Sequence, residues 1–541
     1  MSWATKSGEQ HANYWGSITQ ATTVHIGYDG EQQVYIPFNE ILPMVDPNQL
    51  VIDGWDINNA NLAEAMERAQ VFEPELQRKL RSHMEPIVPR PSVYYPDFIA
   101  SNQEGRANHV LKGTKQDHLN KIRADIRDFR KKHDLECVIV LWTANTERFS
   151  DVSRGLNTTS DELLEAIRTS HAEVAPSHIF GAAAALEGAH FINGSPQNSL
   201  IPGLVELAQR NGVFVGGDDF KSGQTKLKSV LVDFLVQSGL KPRSIVSYNH
   251  LGNNDGKNLS EQRQFRSKEI TKSSVVDDMV QSNHILYPEG KKPDHVIVIK
   301  YVPFVADSKR AMDEYVSSIF MGGLNSMAIH NTCEDSLLAA PLILDLALIT
   351  ELCSRIQYAG RQGASEVYQA FHPVLSLLSC LLKAPVVPEG TPVCNGLMRQ
   401  LKTVTKLLLA CAGLAGDQDL QLEFFTELPV AEGEERLETT AEAMANGYHA
   451  NGATKEEANG YHDETNGTTE EEAVGNGYHH KANGTSEEET NGYHHANGTT
   501  EEANGYHDEV NGTTSGAQGK ATVHAKEGNL ANGLVPNGLA N

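Results

Sequence analysis

Residues 1–430 carry two alternating hydrophobic rhythms. Short continuous apolar runs such as Cys137-Val138-Ile139-Val140-Leu141 end in polar Thr143, Asn145, Thr146 and Glu147. This is the pattern of a buried parallel strand that delivers side chains to a crevice. Further strands are expected at Val213 to Val215, Ser244 to Ser247 and His295 to Val302, each followed by a loop rich in Gly, Asn, Asp or Lys. Helical spacing predicts elements over Leu62 to Ala69, Lys115 to Lys132, Thr225 to Gln237, Ser308 to Phe320 and Ser336 to Ile356, the last with Asp335 and Ser336 as caps. Strands alternating with helices predict an α/β fold. The apolar stretch Leu337 to Leu352 is interrupted by Pro341 and Asp345, so it reads as a buried helix, too short and too polar to span a bilayer.

The rhythm ends near Ala431. Beyond it the chain is dominated by Glu, Gly, Asn, Thr and His, and Asn-Gly-Tyr-His recurs from Asn446, Asn459, Asn476, Asn491 and Asn504. So few branched apolar residues cannot offset the entropy of ordering, and residues 431–541 are expected to form a disordered, solvated tail. The repeat spacing is too irregular for a stacked solenoid.

Composition narrows the function. The 541 residues allow about three domains with a large core. A formal net charge of -25 argues against nucleic-acid and anionic-membrane partners, yet leaves room for a local basic pocket that binds an anionic metabolite. The six cysteines are scattered without C-x-x-C spacing, which points to reduced thiols and to no metal site. Met1-Ser2-Trp3-Ala4-Thr5-Lys6 has no apolar signal core, so a cytoplasmic location is expected.

Four polar segments lie between the strands and are candidates for chemistry. Gly216-Gly217-Asp218-Asp219-Phe220-Lys221-Ser222-Gly223-Gln224-Thr225-Lys226 departs from nucleoside-triphosphate loop spacing, but its glycines allow backbone amides to face an anion at a helix N-terminus. Ser247 to Gly256 crowds amides, His250 and Asp255 into one turn, and on pattern alone ordinary turn chemistry is the simpler reading. In Phe265 to Lys272, Lys268 and Lys272 share a face if helical. Their repulsion, roughly 0.2–0.5 kcal/mol, would be relieved by an anion or by solvent. Ala306-Asp307-Ser308-Lys309 follows a strand and is expected to open a helix, putting Lys309 at a ligand crevice. Lys383 ends an apolar run, where a helix-end charge is the simpler reading.

Taken together these segments resemble the eukaryotic myo-inositol-1-phosphate (inositol-3-phosphate) synthases. The resemblance is carried by Leu141-Trp142-Thr143-Ala144-Asn145-Thr146-Glu147-Arg148, Asn193-Gly194-Ser195-Pro196-Gln197-Asn198, Gly216 to Lys226, Ser247 to Gly256, Arg266 to Lys272 and His330 to Ser336, in order from Trp3 to Phe425. It implies a Rossmann-like NAD domain from residues 1–224 and 339–430, around a central α/β domain at 225–338 with catalytic and tetramer contacts. It implies NAD-dependent isomerisation of glucose 6-phosphate to inositol 3-phosphate, the first step of inositol biosynthesis: oxidation at C5, enolisation, closure of C6 onto the C1 aldehyde, and reduction. By the same resemblance Lys268 transfers a proton, its pKa lowered by neighbouring cations. Lys272 binds phosphate, Lys309 and Lys383 stabilise oxygen charge, and Asp219 and Asp255 complete the catalytic set. NAD contacts are implied for Asp56, Ile57 and Asn58, for Ala144, Asn145 and Thr146, for Gly217, Asp219 and Ser222, for Asn253 and Asn254, and for Asp335 and Ser336.

The family pattern opens with a strand, a G-x-G-G-N-N-G turn and a helix, whereas this sequence starts at Met1 in the segment that follows them. Two functions are therefore expected as alternatives: the full isomerase as a homotetramer, or a non-catalytic form that joins and modulates a full-length partner. A plain dehydrogenase would instead accumulate NADH, and the several lysines suited to ring closure argue against it.

Overall fold

The computed structural model describes residues 13–29, 32–362 and 365–414, and the tail expected over 431–541 lies outside them. Helix α1 (Ile18–Ala21) leads into the antiparallel hairpin β1 (Thr23–Asp29) and β2 (Gln32–Pro37). Then come β3 (Trp55–Asp56), α2 (Leu62–Ala69), α3 (Pro74–Met84) and β4 (Arg90–Pro91), with β3 parallel to β4. They are followed by α4 (Lys115–His133), β5 (Ile139–Trp142), α5 (Ser160–Arg168), α6 (Pro176–Leu186), β6 (His190–Asn193), α7 (Pro202–Arg210) and β7 (Val215–Gly216). Strands β5, β6 and β7 form a parallel sheet in that order.

Local chemistry explains the helices that cover this sheet. The Thr114 hydroxyl accepts from Asp117 N while the Asp117 carboxylate accepts from Thr114 N, which caps α4, and Arg130, Lys131, Lys132 and His133 complement its C-terminal dipole. Its buried face carries Leu119, Ile122 and Ile126, each contributing about 1.5–3 kcal/mol. Helix α6, rich in alanine, is buried on nearly every side, and its Phe180 ring touches both Trp55 after the first hairpin and Trp142 at the end of β5.

The second half begins with α8 (Gly223–Gln237), β8 (Lys241–Leu251), α9 (Asn254–Asn258), α10 (Gln262–Ser273) and α11 (Asp277–Gln281). Strands β9 (Asp294–Tyr301), β10 (Ser308–Ser318) and β11 (Leu324–Glu334) join β8 in a sheet of order β11-β10-β8-β9, in which only β8 and β9 run parallel. Helix α12 (Asp335–Arg355), the hairpin β12 (Gln357–Gln362) and β13 (Ser365–Ala370), and α13 (Leu397–Cys411) complete the order. Buried Val232, Val236, Ile245, Val275, Val276 and Met279 seat α8 and α11 beneath the sheet. Helix α12 instead joins the core formed by β1, β2 and α13.

Several expectations are corrected. The helix expected over Ser308 to Phe320 is instead a strand over Ser308–Ser318, because Lys309, Ala311, Asp313, Tyr315 and Ser317 turn inward at period two; three of these are polar, so the hydrophobic pattern hides the alternation. Lys309 therefore opens β10 and not a helix. Ser247 to Leu251 belongs to β8, with the turn starting only at Gly252. Asp335 and Ser336 do not cap α12 from outside: both lie in its first turn, and the Ser336 N–H and hydroxyl donate to Asp307. By length and composition α12 is long and apolar enough to cross a membrane, contrary to the reading of its sequence. Its buried Asp345 accepts from Ser17 Oγ, Ile18 N, Thr19 N and Thr19 Oγ1, a set of contacts that belongs to a core helix.

Candidate active site

The loop after β7 places Asp219 at the centre of a buried lysine cluster. Phe220 fills the space over Gly194, where any Cβ would stand 1.9 Å from its ring, so glycine there is a condition for seating the loop. Asp219 holds a left-handed φ of 61°, a conformation costly outside glycine and typical of functional positions. Its Oδ1 accepts from Lys268 Nζ at 3.0 Å and Lys383 Nζ at 3.2 Å, and its Oδ2 from Thr271 Oγ1 at 3.1 Å. Lys268 and Lys272 share one face of α10, as their spacing predicted. Lys383 comes from a segment that pairs with the loop through Lys383 N to Asp219 O and Lys221 N to Leu381 O. Lys309, on β10, donates to Asp335 at 3.4 Å, and Lys272 donates to Asn249 Oδ1 at 3.2 Å.

Charge sets each group apart. Burial would raise the Asp219 carboxyl, but Lys268 and Lys383 overcome it and hold it at about 2. Burial would lower Lys268, yet Asp219, Asp255 and Asp335 together raise it, so it is a fixed cation. The lowering expected at Lys268 falls elsewhere. Burial, opposed by Asp219 and aided by Lys268 and Lys309, brings Lys383 to about 7, while burial and the neighbouring lysines push Lys272 well below the usual range. Asp335 is lowered by Lys309, Lys383 and Lys268 against the effect of burial. Asp218, next in chain to Asp219, is buried and raised well above the carboxylate range, and it accepts from Asn193 Nδ2 at 2.6 Å.

The other predicted residues fall in two groups. Asp255 neighbours Lys268 electrostatically, but its oxygens accept from Thr146 N and Oγ1, which ties α9 to the loop after β5. Asn254 donates to Asn145, Asn253 caps α9, Ser195 Oγ donates to Ala144 O, and Ser222 is the N-cap residue of α8. Gly217 O accepts from Val386 N. The second group lies after β3. Asp56 accepts from Asn58 N, Asn58 Oδ1 accepts from Arg68, Asn58 Nδ2 donates to Arg106 O, and Ile57 O accepts from His109 N. Arg106 was absent from the sequence reading, Asp218 stood in the Gly216 to Lys226 segment without a role of its own, and no spacing signal marks either.

These parallel strands, with their C-terminal loops carrying the polar groups, define an α/β enzyme of Rossmann-like build with a lysine–aspartate centre. The chain belongs to the myo-inositol-1-phosphate synthase family, whose NAD-binding family model matches residues 1–408. It is 60% identical over 423 residues to inositol-3-phosphate synthase 1-B of Xenopus laevis, covering 78% of this chain and 75% of that one. To inositol-3-phosphate synthase 1 of Homo sapiens it is 59% identical over 430 residues, covering 79% and 76%. The crystal structure of inositol-3-phosphate synthase from Caenorhabditis elegans superposes with a TM-score of 0.77 at 64% identity, covering 80% of this chain and 86% of that one. The enzyme is thus an NAD-dependent isomerase.

The site after β3 fits such a cofactor. Among the described residues Arg106 Nε is buried without a hydrogen-bond partner, and the Arg106 pKa is lowered by burial and Arg68 while Asp56 opposes. A buried donor beside a carboxylate suits a polar, anionic nucleotide.

Proposed function

We propose that the chain converts glucose 6-phosphate to inositol 3-phosphate, with Asp56, Asn58 and Arg106 holding the nucleotide end of NAD and the Asp219 loop facing its reactive end. NAD supplies reversible oxidation at one substrate carbon. The observation that carries the reading is Asp219 gripping two buried lysines of unlike character, with Lys272 and Lys309 close by. Lys383, near 7, is matched to exchanging the hydroxyl proton at C5 near neutrality. Lys268, fixed as a cation, stabilises oxygen charge while the acidified C6 closes onto C1. Proton exchange is therefore assigned to Lys383 in place of Lys268. Lys272, pressed by four other lysines, takes the phosphate dianion, which relieves their repulsion.

We assign subunit contacts and the substrate contacts other than Lys383 to residues 225–338, and cofactor contacts to residues 1–224 and 339–430. The outer face of the four-stranded sheet exposes Tyr248, Val296 and Met312, and the β10–β11 turn adds Phe320, Met321 and Leu324; a patch of this kind fits assembly into a tetramer. The six free thiols fit the reducing cytosol.

Turnover of glucose 6-phosphate by the purified chain with NAD, followed by NMR, tests the reaction. Inositol phosphate should form, and Lys268→Ala should slow it by about a hundredfold or more. A folded, NAD-binding sample that leaves the sugar phosphate unchanged would sink the proposal and favour a non-catalytic role.

A further inference from the structure

Below the lysine site the inner face of the sheet stays polar. Asn249 and Ser247 follow one another inward along β8, Asp313 pairs with Ser247 across the sheet, and His295 lies on the neighbouring strand. Lys228 of α8, only 4% exposed, reaches into this row. It donates to Ser247 Oγ at 2.7 Å and meets His295 Nε2 at 3.0 Å, while His295 Nδ1 faces Ser273 O at 3.2 Å.

The partners fix the proton positions. A carbonyl only accepts, so His295 Nδ1 carries the hydrogen and its Nε2 is left as the acceptor for Lys228. A neutral amine has two N–H groups, and Ser247 and His295 use both. Protonated Lys228 has a third, and among the described residues its hydrogen bonds are these two alone. The ammonium form is therefore complete only when another acceptor arrives.

We propose that Lys228 is a further anion-binding residue of the lysine site, recruited in its ammonium form when a phosphate-type dianion enters above it. This rests on reading the cluster as the phosphate site. Burial lowers Lys228 to about 8 while Asp313 on β10 opposes, so its proton is exchangeable under mild conditions. From α10, Lys272 faces it and carries Lys228 among its own lowering charges, together with Lys309, Lys383 and Lys268. His295 is held at about 3 by burial and by Lys228, opposed by its bond to Ser273 O, with Lys272 and Lys292 adding to the lowering, so it stays neutral throughout. A dianion reverses the balance, because each unit of opposite charge favours the protonated lysine.

Sulfate, which does not titrate near neutrality, is the probe, and its affinity for the NAD-loaded chain is read by calorimetry from about pH 8.5 to about pH 9.5. Binding that takes up a proton weakens as pH rises, and one proton corresponds to about a tenfold loss per pH unit. Both Lys228→Met and Lys228→Arg should flatten the native dependence by about one such proton, since neither new side chain titrates there. Lys228→Arg should keep its affinity near pH 7, a pairing of outcomes that a packing defect would not produce. Unaltered steepness in a folded Lys228→Arg protein overturns this inference alone. Absence of sulfate binding to the native chain overturns it together with the phosphate-site reading.

Discussion

Asp219 accepts from both Lys268 and Lys383 on one carboxylate oxygen, and with both lysines buried it is the other charges around each that make them differ. Lys268 gains three carboxylate neighbours and stays charged, whereas Lys383 has Asp219 and Asp335 against two lysines and sits near 7. Asp219→Asn should therefore lower kcat by about a hundredfold or more, because the amide removes the countercharge of both lysines. Steady-state kinetics on folded protein checks this, and near-native kcat would make Asp219 dispensable. The lysines at 268, 272, 309 and 383 were legible through their motifs. Their differing proton affinities were not, because these depend on charges brought together from several separate segments. Lys228 and Arg106 were missed for a related reason: an isolated basic residue within a helix or loop has no distinctive spacing.

Among the elements, α12 shows how one buried carboxylate organises a distant segment. Asp345 satisfies the N-terminal amides of α1 and two hydroxyls. Asp345→Ala should cost about 3 kcal/mol or more, since it leaves several buried donors unpaired. Urea unfolding monitored by fluorescence measures it, and an unchanged midpoint would mean that α1 is held by its apolar contacts alone. The sequence marked Asp345 only as an interruption in an apolar run. Helices α2, α4, α8 and α12 were legible, because their spacing and breaking residues act within a few turns. Strand β10 was misread for the opposite reason: its inward face mixes polar Lys309, Asp313 and Ser317 with Ala311 and Tyr315, and Lys309 and Asp313 are buried where the site and the polar row beneath it lie.

For the whole molecule, the consequential surface is the outside of the β11-β10-β8-β9 sheet, where His330, Met312, Tyr248 and Val298 form one row across the strands. If the proposed tetramer forms through this face, placing charge there, as in Met312→Glu with Tyr248→Arg, should shift the protein to a smaller species in sedimentation velocity while it remains folded. An unchanged sedimentation coefficient would move subunit contacts elsewhere. The sequence by itself determined the α/β class, helices α2, α4, α8 and α12, the β5 and β9 strands and the lysine-bearing motifs, because these rest on local periodicity and on residues close in chain. Only the tertiary structure decided that Asp219, Lys268, Lys383, Lys272 and Lys309 share one buried site, and which lysine is held charged and which lies near 7. Burial and Coulomb interaction depend on distances in space, and residues 219 and 383 become neighbours only when the chain folds.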